Sequence, residues 1–243
     1  DIGIAMGSGT YVAKDSAAMI LTDDNFVSIV KAVSVGRTVF DNIKKSIAYL
    51  FAGNLGAIIA ILFAVIMNWA NPFTALQLLF INLVNDSLPA IALGMEKSEP
   101  NVMKRKPRKL EEGIFAGGTL TSVIIRGLFI GIAVIISHFI GLQHSDEMGV
   151  AMAFTTLILA RTLQTFPARS NVQTAIGAGF FQNKYVLGAV VIGFLLYSLT
   201  IMPFARDIFR IPAEFGWEEG LLAFGLALAS TLLMEIAKVI RRK

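Results

Sequence analysis

Apolar residues follow two different patterns along the chain. Residues 1–38 carry them in short clusters, Ile2-Gly3-Ile4-Ala5-Met6-Gly7 and Ala17-Ala18-Met19-Ile20-Leu21, each the length of a buried strand. Between the clusters, Thr10 to Ser16 suits a short helix. After them, Thr22-Asp23-Asp24-Asn25 offers N-caps for a helix through Phe26, Ile29, Val30, Ala32 and Val33. Strand, helix, strand, helix predicts the tail of an α/β domain, too short to fold alone and completed by residues upstream of Asp1. From Ser46 to Met95 the pattern changes, because the only charged side chain is Asp86. The Asn-Trp-Ala-Asn-Pro stretch at 68–72 divides this segment into two pieces, each long enough at ~1.5 Å per residue to cross a ~30 Å hydrocarbon core. Further spans are predicted at about Ile114 to Ile140, Met148 to Phe166, Tyr185 to Phe204 and Trp217 to Ala237. Such long unbroken apolar runs exclude a transmembrane barrel. The predicted fold is mostly α: a six-helix transmembrane bundle preceded by the tail of an α/β domain.

Composition agrees with that reading. The chain is 55% apolar and 16% charged, with a mean hydropathy of +0.69, unlike a soluble enzyme or a disordered tail. Its net charge of +4 and pI near 9.4 could suit a nucleic-acid binder, but the basic residues sit between apolar blocks and read as membrane-flanking charge, so no nucleic acid is expected. Lys44 and Lys45, Lys97, Lys104-Arg105-Lys106, Arg108 and Lys109, Arg169 and Lys184, and Lys238 with Arg241, Arg242 and Lys243 all fall on one side of the predicted bundle. That side is therefore expected to be cytoplasmic, with both ends of the segment on it; Arg206 and Arg210 are the exception. The expected organisation is an α/β tail at 1–38, a stalk and first two spans at 39–95, a basic loop at 96–113, and four further spans with a basic tail at 114–243. With no Cys and only His138 and His144, neither a thiolate site nor a histidine metal centre is available.

Chemistry is concentrated in the second span. Asn82, Asn85, Asp86 and Pro89 are spaced i, i+3, i+4, i+7 and share one face of a regular helix. A carboxylate at membrane depth is costly and marks a functional site by default. Pro89 lacks an amide donor and can open the helix near Asn85, exposing carbonyl oxygens beside the side-chain oxygens. Oxygens gathered in this way suit a hard cation such as Ca2+. Asn54, between Gly53 and Gly56 on the first span, adds an amide where small residues allow close helix approach. The alternative is that the three asparagines only bridge helices while Asp86 is protonated or paired. Arg126 reads as a structural or snorkelling residue. Arg161 could snorkel too, or could place a permanent positive charge beside Asp86. Gly7-Ser8-Gly9 by itself does not make a phosphate loop.

Several motifs together resemble P-type cation-transporting ATPases of the calcium-pump branch. Asp1-Ile2-Gly3-Ile4-Ala5-Met6-Gly7 with Gly9-Thr10 and Val12-Ala13-Lys14 is similar to the end of that family's phosphorylation domain, as are Leu21-Thr22-Asp23-Asp24-Asn25-Phe26 and Gly36-Arg37. Asn42-Ile43-Lys44-Lys45 resembles the stalk leading into the family's fifth membrane helix, and Asn82-Leu83-Val84-Asn85-Asp86-Ser87-Leu88-Pro89-Ala90 its sixth. The four later spans match by layout more than by motif. The resemblance implies a pump that couples ATP hydrolysis, through an aspartyl-phosphate, to export of a cation from the cytosol, with Asn54, Asn82, Asn85 and Asp86 as ligands. Ca2+ would be the transported ion, and Mg2+ and ATP would be bound by upstream domains of the same polypeptide.

Two departures from the sarcoplasmic-reticulum type matter. Ala57 and Arg161 each stand where that type has a glutamate, which implies one Ca2+ per cycle, and Ala57 aligns the chain with the plasma-membrane and Golgi pumps. Asn85 replaces a threonine or methionine of relatives. The phosphorylated Asp-Lys-Thr-Gly-Thr, the Thr-Gly-Glu loop and the Gly-Asp-Gly-x-Asn-Asp motif do not occur in this sequence. The segment alone is therefore expected neither to hydrolyse ATP nor to pump, and it reads as the C-terminal piece of a longer plasma-membrane protein embedded in lipid. The rival readings are a P-type pump for Na+, K+, H+ or Mn2+, and a non-catalytic membrane transporter. The latter is expected to show an internal repeat, which the sequence lacks.

Overall fold

The computed structural model describes residues 2–107 and 112–240. Arg108 and Lys109 of the basic loop, Arg241, Arg242 and Lys243 of the tail, and Asp1 of the first motif lie outside the described residues. The described residues divide into two compact units, one formed by residues 2–41 with 97–107 and the other by 42–96 with 112–240.

In the first unit, β1 (Ile4–Met6) pairs in parallel with β2 (Met19–Leu21), Ile4 opposite Met19, and α1 (Tyr11–Asp15) forms the crossover between them. Thr10 caps α1 by accepting the Ala13 amide. Asp24, at φ +49°, accepts the Ser8 amide at 3.0 Å, which holds its carboxyl below the ordinary aspartate range. Ile4, Met6 and Ile20 remain at least 40% exposed, so this two-stranded sheet has no complete core of its own. Residues 97–107 join the unit through Arg37, whose Nη1 donates to the Val102 and Arg105 carbonyls at 2.9 Å, and through an Arg105–Asp41 ion pair. The first part of the basic stretch thus has specific partners besides its flanking charge.

The helix expected near 26–33 and the first span form one continuous helix, α2 (Val27–Ile66), which contributes residues to both units. The separate elements inferred from the sequence merge because the stretch between them holds no Pro, its single Gly36 is tolerated inside the helix, and residues such as Arg37, Lys44 and Lys45 are good helix formers. In the second unit, the break predicted at 68–72 appears as a turn with Asn68 at φ +55°. Trp69 there stacks on Phe139, centroids 5.3 Å apart, and His138 Nε2 lies 2.9 Å from the Ala70 carbonyl.

The chain re-enters through α3 (Ala75–Phe80), started by a Thr74–Gln77 capping box, then a π-helical segment (Ile81–Asn85) and α4 (Ser87–Gly94). It continues through α5 (Thr119–Leu142), α6 (Asp146–Ala168), α7 (Lys184–Thr200), a single turn α8 (Pro203–Arg206) and α9 (Trp217–Ile240). Five helical segments among the described residues are long and apolar enough to cross a membrane, α3 to α4 counting as one. At 17 residues α7, the expected fifth span, is shorter, about 26 Å by helical rise. α6 is the central helix: 89% of its most apolar stretch is buried, against 28% for α9. It packs on α5, α7 and α9, and its Phe154, Leu157 and Ile158 join Ile130, Val134 and Ile81 in the main core. Small residues bring α2 and α5 together: a Cβ on Gly56 would fall 2.6 Å from Ile130, and one on Gly127 2.8 Å from Leu55.

Candidate cation site

A charged cluster has formed where the π-helical segment meets α2 and α6. A regular helix would place Asp86 N–H on the Asn82 carbonyl, but the bond runs to Ile81 O at 2.9 Å, one residue further back. Single π turns of this kind are common at functional sites, because the extra residue turns the following side chains inward. Pro89 sits in the first turn of α4, where a missing amide costs little, and it brings no donor to the Asn85 carbonyl. The π turn lies upstream of Pro89 and ends at Asn85.

Asp86 and Arg161 are both fully buried, and their carboxylate and guanidinium are in direct contact. The guanidinium also donates from Nη1 to Asn82 Oδ1 at 3.1 Å and from Nη2 to Asn54 Oδ1 at 3.2 Å. One arginine thus engages oxygens from three of the four predicted ligand residues. Its fork of fixed donors suits this task, and burying the two charges as a hydrogen-bonded pair keeps the site neutral. Asn54 and Asn82 lie on the exposed side of the cluster, whereas Asn85 and Asp86 are buried. Asn85 turns the other way: its Nδ2 lies 3.4 Å from Asp86 Oδ1, and its Oδ1 accepts from Thr162 Oγ1 at 3.4 Å. Ala57 packs in the main apolar core and brings no oxygen to the cluster.

Two further residues shape the site. Tyr49 Oη lies 3.4 Å from Asp86 Oδ1 and donates to the Arg161 carbonyl at 3.2 Å, tying α2 to both halves of the pair. Gly53 leaves room for the arginine, since a Cβ there would lie 2.4 Å from Arg161 Nε. Gly53 is legible in the sequence as a close-approach residue. Tyr49 is not, because a phenol in an apolar run reads equally well as packing; only its i, i+4 spacing to Gly53 hints that both share the face of the site. Among the described residues no group of three His, Asp or Glu side chains could hold a metal. Any cation here must be held by Asp86, amide oxygens and backbone carbonyls, and must take from the guanidinium the oxygens of Asp86, Asn54 and Asn82.

The fold and this cluster define a class: a multi-pass helical membrane protein with a buried, charge-neutral oxygen site on a broken helix. Residues 70–240 match the family described as "Cation transporting ATPase, C-terminus", and the chain belongs to that family. Across all 243 residues the chain is 77% identical to a calcium-transporting ATPase of Listeria monocytogenes, of which it covers 28%. It is 68% identical over 241 residues to calcium-transporting ATPase 1 of Lactococcus lactis and 38% identical over 253 aligned positions to a calcium-transporting ATPase of Bacillus subtilis, covering 27% and 28% of them. The chain thus spans little more than a quarter of the length of the relatives it matches.

Proposed function

We propose that this chain is the C-terminal transport portion of an ATP-driven Ca2+ pump that exports one Ca2+ per cycle from the cytosol. The observation that carries this reading is the Arg161 guanidinium lying on the side-chain oxygens of Asp86, Asn54 and Asn82 inside an apolar bundle. Ca2+ prefers hard oxygen ligands with at least one carboxylate, which this set offers. The names of the bacterial relatives support the same ion. In this reading Asn54, Asn82, Asn85 and Asp86 bind Ca2+ as the transported substrate, and Arg161 is the counter-charge that returns to these oxygens when the ion leaves. Ala57 and Arg161 together leave no oxygens for a second ion.

Residues 1–38 form the end of the phosphorylation domain, 39–95 the stalk with the site-bearing helices, 96–113 a basic cytosolic loop, and 114–243 the supporting helices and tail. Upstream domains of the same polypeptide supply the phosphorylated aspartate and bind ATP and Mg2+. Both ends of the segment face the cytosol, and the membrane is the plasma membrane.

The test is ATP hydrolysis by the full-length polypeptide, wild type beside Asp86→Asn, with Ca2+, Na+, K+ and Mn2+ varied in turn. Activation by Ca2+ that falls to background in Asp86→Asn is the expected result. Activation by a monovalent ion or by Mn2+ alone would assign the protein to a pump for that ion. Hydrolysis indifferent to Asp86 would remove the site.

A further inference from the structure

If a cation takes the oxygens of Asp86, Asn54 and Asn82, the Arg161 guanidinium must leave them while staying inside the bundle. A buried guanidinium without acceptors is costly. Nearby oxygens are already engaged: Asn85 Oδ1 by Thr162 Oγ1, and the Arg161 carbonyl by Tyr49 Oη. One turn further along α6 stands Gln164, fully buried, and neither its Oε1 nor its Nε2 has a hydrogen-bond partner among the described residues. An orphaned amide in a packed core costs free energy, and native cores hold few of them. It belongs to no polar seam, because Leu157, Ala160 and Ala168, which share its side of α6 by spacing, are apolar and fully buried. Residues i and i+3 of a helix are neighbours, and helical side chains lean toward the N-terminus, so Gln164 leans back over the turn that carries Arg161. Ala160, at i−4 from Gln164, presents only a methyl group there. Arg161 Nε is itself buried without a partner, so the guanidinium holds a donor that the cation site does not satisfy.

We infer that Gln164 receives the Arg161 guanidinium when Ca2+ occupies the site, its Oε1 accepting from the N–H groups that leave Asp86, Asn54 and Asn82. The inference rests on the proposed exchange of Arg161 and Ca2+ at those oxygens. It makes Gln164 a positioning residue, which touches no ion and acts through Arg161. Orphaned without Ca2+ and bonded with it, the amide favours the ion-bound arrangement and offsets part of the cost of separating a buried ion pair.

The experiment measures Ca2+-dependent ATP hydrolysis and thermal unfolding of the full-length polypeptide, for wild type, Gln164→Leu, Gln164→Glu, Arg161→Met and the double variant Gln164→Leu/Arg161→Met. Leucine is similar in size to glutamine and leaves no orphaned amide, so without Ca2+ Gln164→Leu should unfold no earlier than wild type. Its half-maximal Ca2+ should rise about tenfold, as for a lost hydrogen bond to a charged group, while the rate at saturating Ca2+ changes far less. In the Arg161→Met background no guanidinium needs an acceptor, and Gln164→Leu should leave half-maximal Ca2+ unchanged. Gln164→Glu keeps an acceptor and should hold half-maximal Ca2+ at or below the wild-type value, a comparison that stands even if Arg161→Met does not fold. Half-maximal Ca2+ unchanged in Gln164→Leu, raised equally by Leu and Glu, or raised as much in the Arg161→Met background, would overturn the role of Gln164 and leave the Ca2+ pump in place. Wild-type hydrolysis indifferent to Ca2+ would instead overturn the reading on which the inference rests.

Discussion

Arg161 can lie flat between α2 and the π turn only because Gly53 has no side chain. The guanidinium is fully buried and held by Asp86, Asn54 and Asn82, so it cannot simply swing away from a new methyl group. Gly53→Ala, placing a Cβ 2.4 Å from Nε, should therefore cost about 1–3 kcal/mol of overpacking strain. If Ca2+ displaces the guanidinium, that cost is greatest without Ca2+. Thermal unfolding of the full-length protein should show a larger loss in Ca2+-free buffer than in saturating Ca2+, whereas equal losses would mean that the arginine does not move. Tyr49→Phe removes the hydroxyl that ties Asp86 to the Arg161 carbonyl. It should weaken Ca2+ activation modestly, by about five- to tenfold in half-maximal Ca2+, as expected for one lost hydrogen bond of ordinary strength. The charged members of the site were legible in the sequence because ionised or amide side chains within apolar runs are costly and conspicuous. Their mutual arrangement was not legible, since Arg161 equally suited a snorkelling position near the end of its helix.

At the scale of elements, the π turn explains why the i, i+3, i+4, i+7 face did not survive intact. The insertion between Ile81 and Asp86 leaves Asn82 exposed and turns Asn85 and Asp86 inward, so the three polar positions address two neighbours, Arg161 and Thr162. Composition carries no signal for one extra backbone residue per turn, and the spacing fits a regular helix equally well. The segment is anchored downstream by a second buried pair. Glu96, just beyond α4, accepts from Arg169 Nε at 2.8 Å and Nη2 at 3.1 Å and from Asn183 Nδ2 at 2.8 Å. Arg169 also donates to the Gly179 carbonyl at 2.9 Å, and Asn183 caps α7. Glu96→Gln leaves a buried guanidinium without its carboxylate and should cost about 3–5 kcal/mol, seen as a clear fall in thermal midpoint. The double variant Glu96→Leu/Arg169→Met should recover part of the loss, and only part, because Asn183 Nδ2 then loses the carboxylate that accepts from it at 2.8 Å. A midpoint unchanged by Glu96→Gln would show that the pair does not hold this end of the bundle.

For the molecule as a whole, the hydrophobic pattern alone led to a helical membrane bundle behind a short parallel βαβ unit, and both are present. The pattern missed the continuity of α2, because a hydropathy boundary is not a helix boundary when the intervening residues tolerate helix. It also gave no sign that α6 would be the hub, since its hydropathy of 1.2 is low for a membrane helix. The polar residues that lower it, Thr155, Thr156, Arg161, Thr162, Gln164 and Thr165, are all buried within the bundle. A central helix that is largely buried among its neighbours can carry such residues, and here it brings Arg161 to the cluster. The account's central claim is that Arg161 and a single Ca2+ compete for the same oxygens. Its most direct test is the number of Ca2+ ions transported per ATP hydrolysed by the full-length pump in sealed proteoliposomes, for wild type and for Arg161→Glu, across a range of pH. One Ca2+ per ATP in wild type, with a changed ratio or pH dependence in the variant, is the predicted result. Two Ca2+ per ATP in wild type, or an Arg161→Glu pump with the same stoichiometry and pH dependence, would contradict it.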